Sequence, residues 1–372
     1  MSWHPLIDPT LSSRLCLTLL HSLWQITLVA LLVWCIDRLW KSLAVEQRYT
    51  LYVSALVLAC LSLPINFQWL RVTDANQAEL SQSGIPAVFE SVPPAGPELE
   101  LPAEPLPAPP QSTFTETTDT PNQRTTSSLA TGRLLITPTL FDWRVVTPWL
   151  VVFYLTGVVL MLLRLLAGHL RIARVRAAAT PVSTGPCVEF LARLTEQWNL
   201  KVRPMLTCAE QIVVPQVTGL LRPTILLPAS VMSSLSAGEL ELILAHELAH
   251  IRRYDLWIYL VQRLVEVVLF FNPALWYLSQ RISLLREYCC DEMTCRIEAE
   301  DHRSLEAARV VYSTALLRVA ELAHRSHLSE QQLTSLSAAG KSPSEIRRRV
   351  ARLFGEPLHE PLPVSRGGFC TL

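Results

Sequence analysis

Three stretches of this chain are apolar for about the length of a bilayer crossing. They cover residues 15–36, 51–70 (with the strongly apolar part ending near Pro64) and 145–166. A helix needs roughly 20 such residues to cross hydrocarbon, so the pattern predicts three spans. The first is no signal peptide by its pattern: its apolar run is too long, and it lacks both a basic leader and a small-residue cleavage site. Between 71 and 142 the apolar pattern stops. That segment holds eleven of the 26 prolines and sets nine acidic against three basic residues. It reads as an extended, mostly disordered acidic loop, a tether more readily than a ligand-binding domain.

Beyond the third span the periods change. "QIVVPQVTGLLRPTILLP" has the β-branched content and the Gly/Pro punctuation of two short strands joined by a turn. Ser236-Ala-Gly-Glu239 is a capping-box pattern opening the helix that carries "ELILAHELAHI". "SPSEIRRRVARLF" (342–354) begins on a second cap pattern and puts Ile346, Val350, Leu353 and Phe354 on one face, with Arg347, Arg348, Arg349 and Arg352 around them. Such a helix suits an anionic leaflet or a docking face on the same protein, and DNA far less.

Composition agrees with the spans. Half of the 372 residues are apolar, 17% are charged and the formal net charge is zero, so there is no general case for nucleic-acid binding. Local charge sets orientation: Arg38, Lys41 and Arg48 follow the first span, and Arg171, Arg174 and Arg176 follow the third. Both groups should be cytoplasmic, which leaves the N-terminus and 71–142 outside. The nine cysteines show no paired spacing and none falls in 71–142, consistent with a reducing compartment for the rest.

Chemistry concentrates in "AHELAHIRRYD". His246 and His250 stand at i and i+4, so a helix stacks them on one face, where two imidazoles can take two corners of a zinc tetrahedron. Glu247 lies beside them, placed to take a proton from a metal-activated water. Three polar side chains in so apolar a helix need partners, which a metal supplies. In "LLREYCCDEM", Glu287 and Asp291 repeat the i, i+4 spacing. Glu287 is the candidate third ligand, and Asp291 can orient a ligand histidine through its free ring N–H. A soft site using Cys289 or Cys290 is the alternative. An edge strand beside such a helix can bind extended substrate by strand addition, which nominates Val213, Val214, Pro215, Gln216 and Val217, though a structural hairpin fits the same residues.

HELAHIRRYD followed by "FNPALWYLSQRISLLREYCCD", with "HSLWQ" at 21–25 and "VVPQVTGLLRPTILLP" at 213–228, resembles the BlaR/MecR-type membrane metallopeptidases. The resemblance covers most of residues 15–355. It implies zinc held by His246, His250 and Glu287, Glu247 as general base, a gluzincin-like cytosolic domain, and a cytosolic protein substrate such as a transcriptional repressor. The full sensors of that family continue into a fourth span and a penicillin-binding domain. No SxxK motif stands near Leu372, so a protease without that sensor is expected.

Residues 256–278 also look like a span by hydropathy. Two ligand helices flanking a bilayer core about 30 Å thick could not share one ion. Gln262, Arg263 and Glu266 would be costly at its centre, and Asn272-Pro273 offers a turn. The expectation is a membrane-apposed hairpin, with a second bend near Tyr254-Asp255. The expected whole is mainly α: a multi-pass helical membrane protein with an α+β cytosolic zinc-protease domain. Its parts are 1–70 (two spans), 71–142 (loop), 143–168 (third span), 169–300 (peptidase) and 301–372 (C-terminal helices). Expected partners are membrane lipid and a protein substrate, with no direct nucleic acid; the sequence leaves the oligomeric state open. A housekeeping protease of the HtpX or CAAX-prenyl type and a non-catalytic signalling scaffold are the alternatives.

Overall fold

The computed structural model describes residues 9–40, 42–82, 143–300, 304–330 and 343–355. It opens on three long helices, α1 (Pro9–Leu39), α2 (Val45–Gln82) and α3 (Trp143–Ala178). Each is long and apolar enough to cross a membrane, over Leu11–Leu39, Val45–Leu70 and Val146–Ala178. Leu20, Leu28, Leu31, Phe153 and Leu160 lie exposed on these helices, forming a surface that lipid solvates and water does not. Two amides pair between them: Gln25 of α1 and Asn66 of α2 exchange two hydrogen bonds, at 3.1 and 2.7 Å.

The second helix outruns its expected end. It passes through Pro64 and continues to Gln82, into the segment read above as loop. No glycine or proline stands between Pro64 and Gly84, so nothing in the local sequence stops it. The third also runs past 168, to Ala178. The expected disorder of the remaining loop lies outside the described residues.

The rest is α+β. A four-stranded sheet contains β1 (Thr180–Pro181), β2 (Met205–Ala209), β3 (Gln216–Thr218) and β4 (Thr224–Pro228), in the order β1-β2-β4-β3. The helix α4 (Pro186–Gln197) lies between the first two strands in sequence. The expected hairpin is the antiparallel β3–β4 pair, with Gln216 opposite Leu226. Its turn requires glycine: Gly219 has φ +89°, and a Cβ there would come within 2.5 Å of the Arg222 carbonyl oxygen. The apolar β4 is buried throughout and hands the chain to α5 (Ala229–Ser234) and α6 (Ala237–Arg252). The α6 capping box forms: Ser236 Oγ accepts from the Glu239 N–H, and the Glu239 carboxylate accepts from the Ser236 N–H.

Among the described residues four helices follow, α7 (Asp255–Val268), α8 (Pro273–Glu300), α9 (Leu305–Glu330) and α10 (Pro343–Leu353). The apolar stretch 256–278 is therefore not one rod. Tyr254, at φ +57°, bends the chain between α6 and α7. Asn272 caps the start of α8 through its Oδ1, which accepts from the N–H of Ala274 at 3.0 Å. Gln262 and Glu266 of α7 face α8. Gln262 is fully buried; its amide donates to Ser279 Oγ at 2.5 Å and its Oε1 accepts from Arg286 at 2.7 Å.

Three apolar clusters join these parts. Ile26 and Val33 of α1 and Tyr52 and Leu56 of α2 pack with Leu278, Ile282 and Leu285 of α8, so the membrane helices and α8 share a core. Leu206, Ile225 and Leu227 of the sheet pack under Leu244 and Leu248 of α6. Leu242 and Ile243 of α6, Cys295 of α8, Tyr312 and Leu316 of α9 and Leu353 of α10 form the third. The basic helix α10 docks on α8 and α9, which is the docking alternative rather than the lipid one.

Candidate metal centre

The buried face of α6 presents His246 and His250 one turn apart, their ring centroids separated by 4.9 Å. Opposite them stands Glu287 of α8. Its Oε2 lies 3.5 Å from His246 Nε2 and its Oε1 lies 3.7 Å from His250 Nε2. Ligand atoms of all three residues fall within 4.8 Å of one another. An ion bound tetrahedrally at about 2.1 Å sets its ligand atoms about 3.4 Å apart, so these separations fit a zinc-sized ion.

The far side of each imidazole supports the same reading. His250 Nδ1 meets Asp255 Oδ2 at 2.9 Å. His246 Nδ1 meets the Tyr312 hydroxyl at 2.9 Å and Asp291 Oδ1 at 3.3 Å, and the hydroxyl itself donates to Asp291 at 2.7 Å. A carboxylate accepting from Nδ1–H leaves the Nε2 lone pair turned towards Glu287, the tautomer a metal ligand needs. Both carboxylates stay charged although burial opposes it. His250, Arg253 and Arg286 outweigh that burial and hold Asp255 below the usual carboxylate range. Arg349 and His246 do so for Asp291, more strongly.

Glu247 is buried on α6 between the two histidines. Cys290 lies behind His250, 3.3 Å from Nδ1, on the side away from Glu287. Burial, helped by Asp255 and Glu287, pushes its thiol well above the ordinary range, whereas a soft metal ligand is a thiolate. His250, Asp255 and Cys290 are also close enough to one another to surround an ion. The 2.9 Å contact between His250 Nδ1 and Asp255 is instead the length of a charge-assisted hydrogen bond. Gln216 and Val217 lie on β3, the outer strand of the sheet on the side that touches α6, and Val213, Val214 and Pro215 lead into it.

Three site residues escape the sequence reading. Asp255 stands five positions past His250, inside the quoted motif, and its acidity beside a predicted bend was a usable signal. Tyr312 and Arg349 lie 66 and 103 positions from His246 and reach the site only through the packing of α9 and α10. Nothing local in the sequence marks them.

Comparison with known proteins gives the chain a family. The family model described as BlaR1 peptidase M56 matches residues 17–353. Regulatory protein BlaR1 of Bacillus licheniformis is 26% identical over 210 residues, 56% of this chain and 33% of that protein. The methicillin resistance mecR1 proteins of Staphylococcus aureus strain Mu50 and of Staphylococcus epidermidis are each 26% identical over 136 residues, 37% of this chain and 22% of theirs. The chain thus spans a third or less of the length of these relatives.

Proposed function

The chain belongs to the BlaR1 peptidase M56 family, whose members are metallopeptidases, and from that premise we propose that it is a membrane-embedded zinc endopeptidase that cuts a cytosolic protein in signal transduction. The observation that carries this reading is the convergence of His246 Nε2, His250 Nε2 and a Glu287 carboxylate at ligand-to-ligand distances, each imidazole backed by a buried carboxylate. Zinc held there would supply Lewis-acid polarisation of a peptide carbonyl and of the attacking water. The protein's part is positional and acid–base. Asp255 and Asp291 fix the two ring orientations. Glu247, beside both histidines, takes the proton of the attacking water and returns it to the departing amine. The outer edge of β3 offers unpaired backbone groups along which an extended substrate can lie. A repressor-type substrate is what the family resemblance implies; an exposed, extended loop of such a protein is the chemistry this edge suits. If the reading holds, the purified protein carries one zinc per chain and the His250→Ala, Glu287→Ala double variant carries none; full occupancy in that variant would end it.

The peptidase domain is proposed to face the cytoplasm, with the N-terminus and 71–142 outside and α7–α8 held against the inner leaflet. Arg38, Lys41 and Arg48 around the α1–α2 connection, and Arg171, Arg174 and Arg176 towards the end of α3, motivate this orientation. Leu221, 79% exposed in the β3–β4 turn, is the place to test it. A cysteine there should react with a membrane-impermeant maleimide, above the wild-type background, only after cells are opened. Labelling in intact cells would reverse the topology.

A further inference from the structure

The α10 helix reaches the candidate site with one side chain. Arg349 is 2% exposed, although it belongs to an eleven-residue helix with four arginines. Its guanidinium makes a fork on Asp291, with Nε 3.0 Å from Oδ2 and Nη2 2.5 Å from Oδ1. Nη1 lies 3.0 Å from Glu287 Oε2, and Nη2 also approaches the Tyr312 hydroxyl at 3.1 Å and His246 Nε2 at 3.3 Å.

The charges explain why a guanidinium belongs there. Glu287 and Asp291 sit one turn apart on α8, both buried, and like charges at that spacing repel. A planar, permanently charged fork can hold two carboxylates in fixed orientations at once; an ammonium offers only a point charge. Asp291 in turn backs His246, and Glu287 is the third ligand. One arginine therefore fixes the orientation of two of the three groups that face the ion.

We propose that Arg349 is a positioning residue of the metal site, which clamps Glu287 and Asp291 in the geometry that binds zinc; this rests on the zinc-peptidase reading above. At His246 Nε2 the guanidinium donates to the lone pair that a bound zinc would use, so that contact would be given up on metal binding, while the two carboxylate contacts would hold the clamp. The C-terminal helix is then part of the metal centre although it supplies no ligand.

The test is zinc affinity, measured by chelator competition on the purified full-length protein. Loss of a group that orients ligands typically costs 10- to 100-fold in metal affinity, and that is the expected loss for Arg349→Ala. Arg349→Lys, which keeps the charge and most of the stem, should fall in between. Arg347→Ala, an exposed neighbour on the same helix, should match wild type. A cavity of roughly 170 Å³, lined in part by Asp291, Glu292, Arg349 and Arg352, adjoins the guanidinium. Millimolar guanidinium ion should therefore restore part of the affinity of Arg349→Ala and leave wild type unchanged, which a purely structural role would not produce. Wild-type affinity in both Arg349 variants would overturn the proposal. So would Arg349→Ala with lost affinity and no guanidinium rescue. Tighter zinc binding or faster cleavage in either variant would make Arg349 a competitor of the metal and overturn it equally. Should Arg349→Ala not fold, wild-type affinity in Arg349→Lys is still decisive. Zinc absent from the wild-type protein would instead remove the site reading itself, and this proposal with it.

Discussion

Glu247→Gln is expected to leave zinc content at wild-type level and to lower the rate of substrate cleavage by about 10²- to 10⁴-fold, the usual weight of a positioned general base. The separation of the two readouts follows from geometry. In the proposed site, metal affinity would belong to His246, His250 and Glu287, whose ligand atoms converge, and to the carboxylates behind the rings. Glu247 shares the helix with the histidines but is not one of the converging ligands. Glutamine keeps its length and shape, so the packing of α6 is undisturbed, yet an amide cannot accept a proton and pass it on. The substrate for the assay need not be the natural one; any unstructured protein cut by wild type will serve. A Glu247→Gln protein that cleaves at wild-type rate would refute its role as base and leave the metal site standing. A variant that loses both zinc and cleavage would show Glu247 to be structural.

Much of this site is legible in the sequence because it is built from local periodicity. Residues four apart on a helix must share a face, and that fact pairs His246 with His250 and Glu287 with Asp291. The bends at Tyr254 and Asn272 were readable as well, since two ligand helices that share an ion cannot lie on opposite sides of a bilayer. Their physical causes are visible: a left-handed Tyr254 and an Asn272 side chain capping α8. What could not be read is what packing alone brings together. Arg349 was one of four arginines on a helix that suited either lipid or a docking face, and nothing singled it out, because amphipathic periodicity assigns a face but not the neighbour that meets it. Tyr312 sits in an ordinary helical stretch and becomes a site residue only where α9 crosses α6. The far end of α2 was missed for a different reason. Hydropathy reports where lipid-like sequence stops, and a helix stops only where a breaker or a cap appears.

The ion-paired junction between the membrane helices and α8 yields the second large effect. Asp37, at the end of α1, is buried. It pairs with Arg48 of α2 and accepts from Arg281 of α8 at 2.8 Å and from the Tyr52 hydroxyl at 3.1 Å. Arg281 is itself buried, and its Nε has no hydrogen-bond partner, so Asp37 carries most of its compensation. The ring of Tyr52, 5.5 Å away, adds a weaker cation–π contact. Breaking one side of a buried ion pair costs about 3–5 kcal/mol, because the remaining charge keeps its desolvation cost and loses its attraction. Asp37→Asn preserves the shape and removes the charge. It is expected to lower the thermal midpoint of the detergent-purified protein by on the order of 10 °C, taking roughly 2–4 °C per kcal/mol for a unit of this size. Glu292→Gln makes the comparison: its pairs with Arg296 and Arg352 are partly exposed, at 3.7 and 3.6 Å, and such pairs contribute about 0–1 kcal/mol. An unchanged midpoint in Asp37→Asn would show that the junction does not hold α8 in place. If it does, the consequence extends to the metal centre, because Arg281 and Glu287 stand on one helix. A displaced α8 carries its carboxylate away from His246 and His250, so Asp37→Asn should also bind zinc less tightly than wild type at temperatures well below its midpoint.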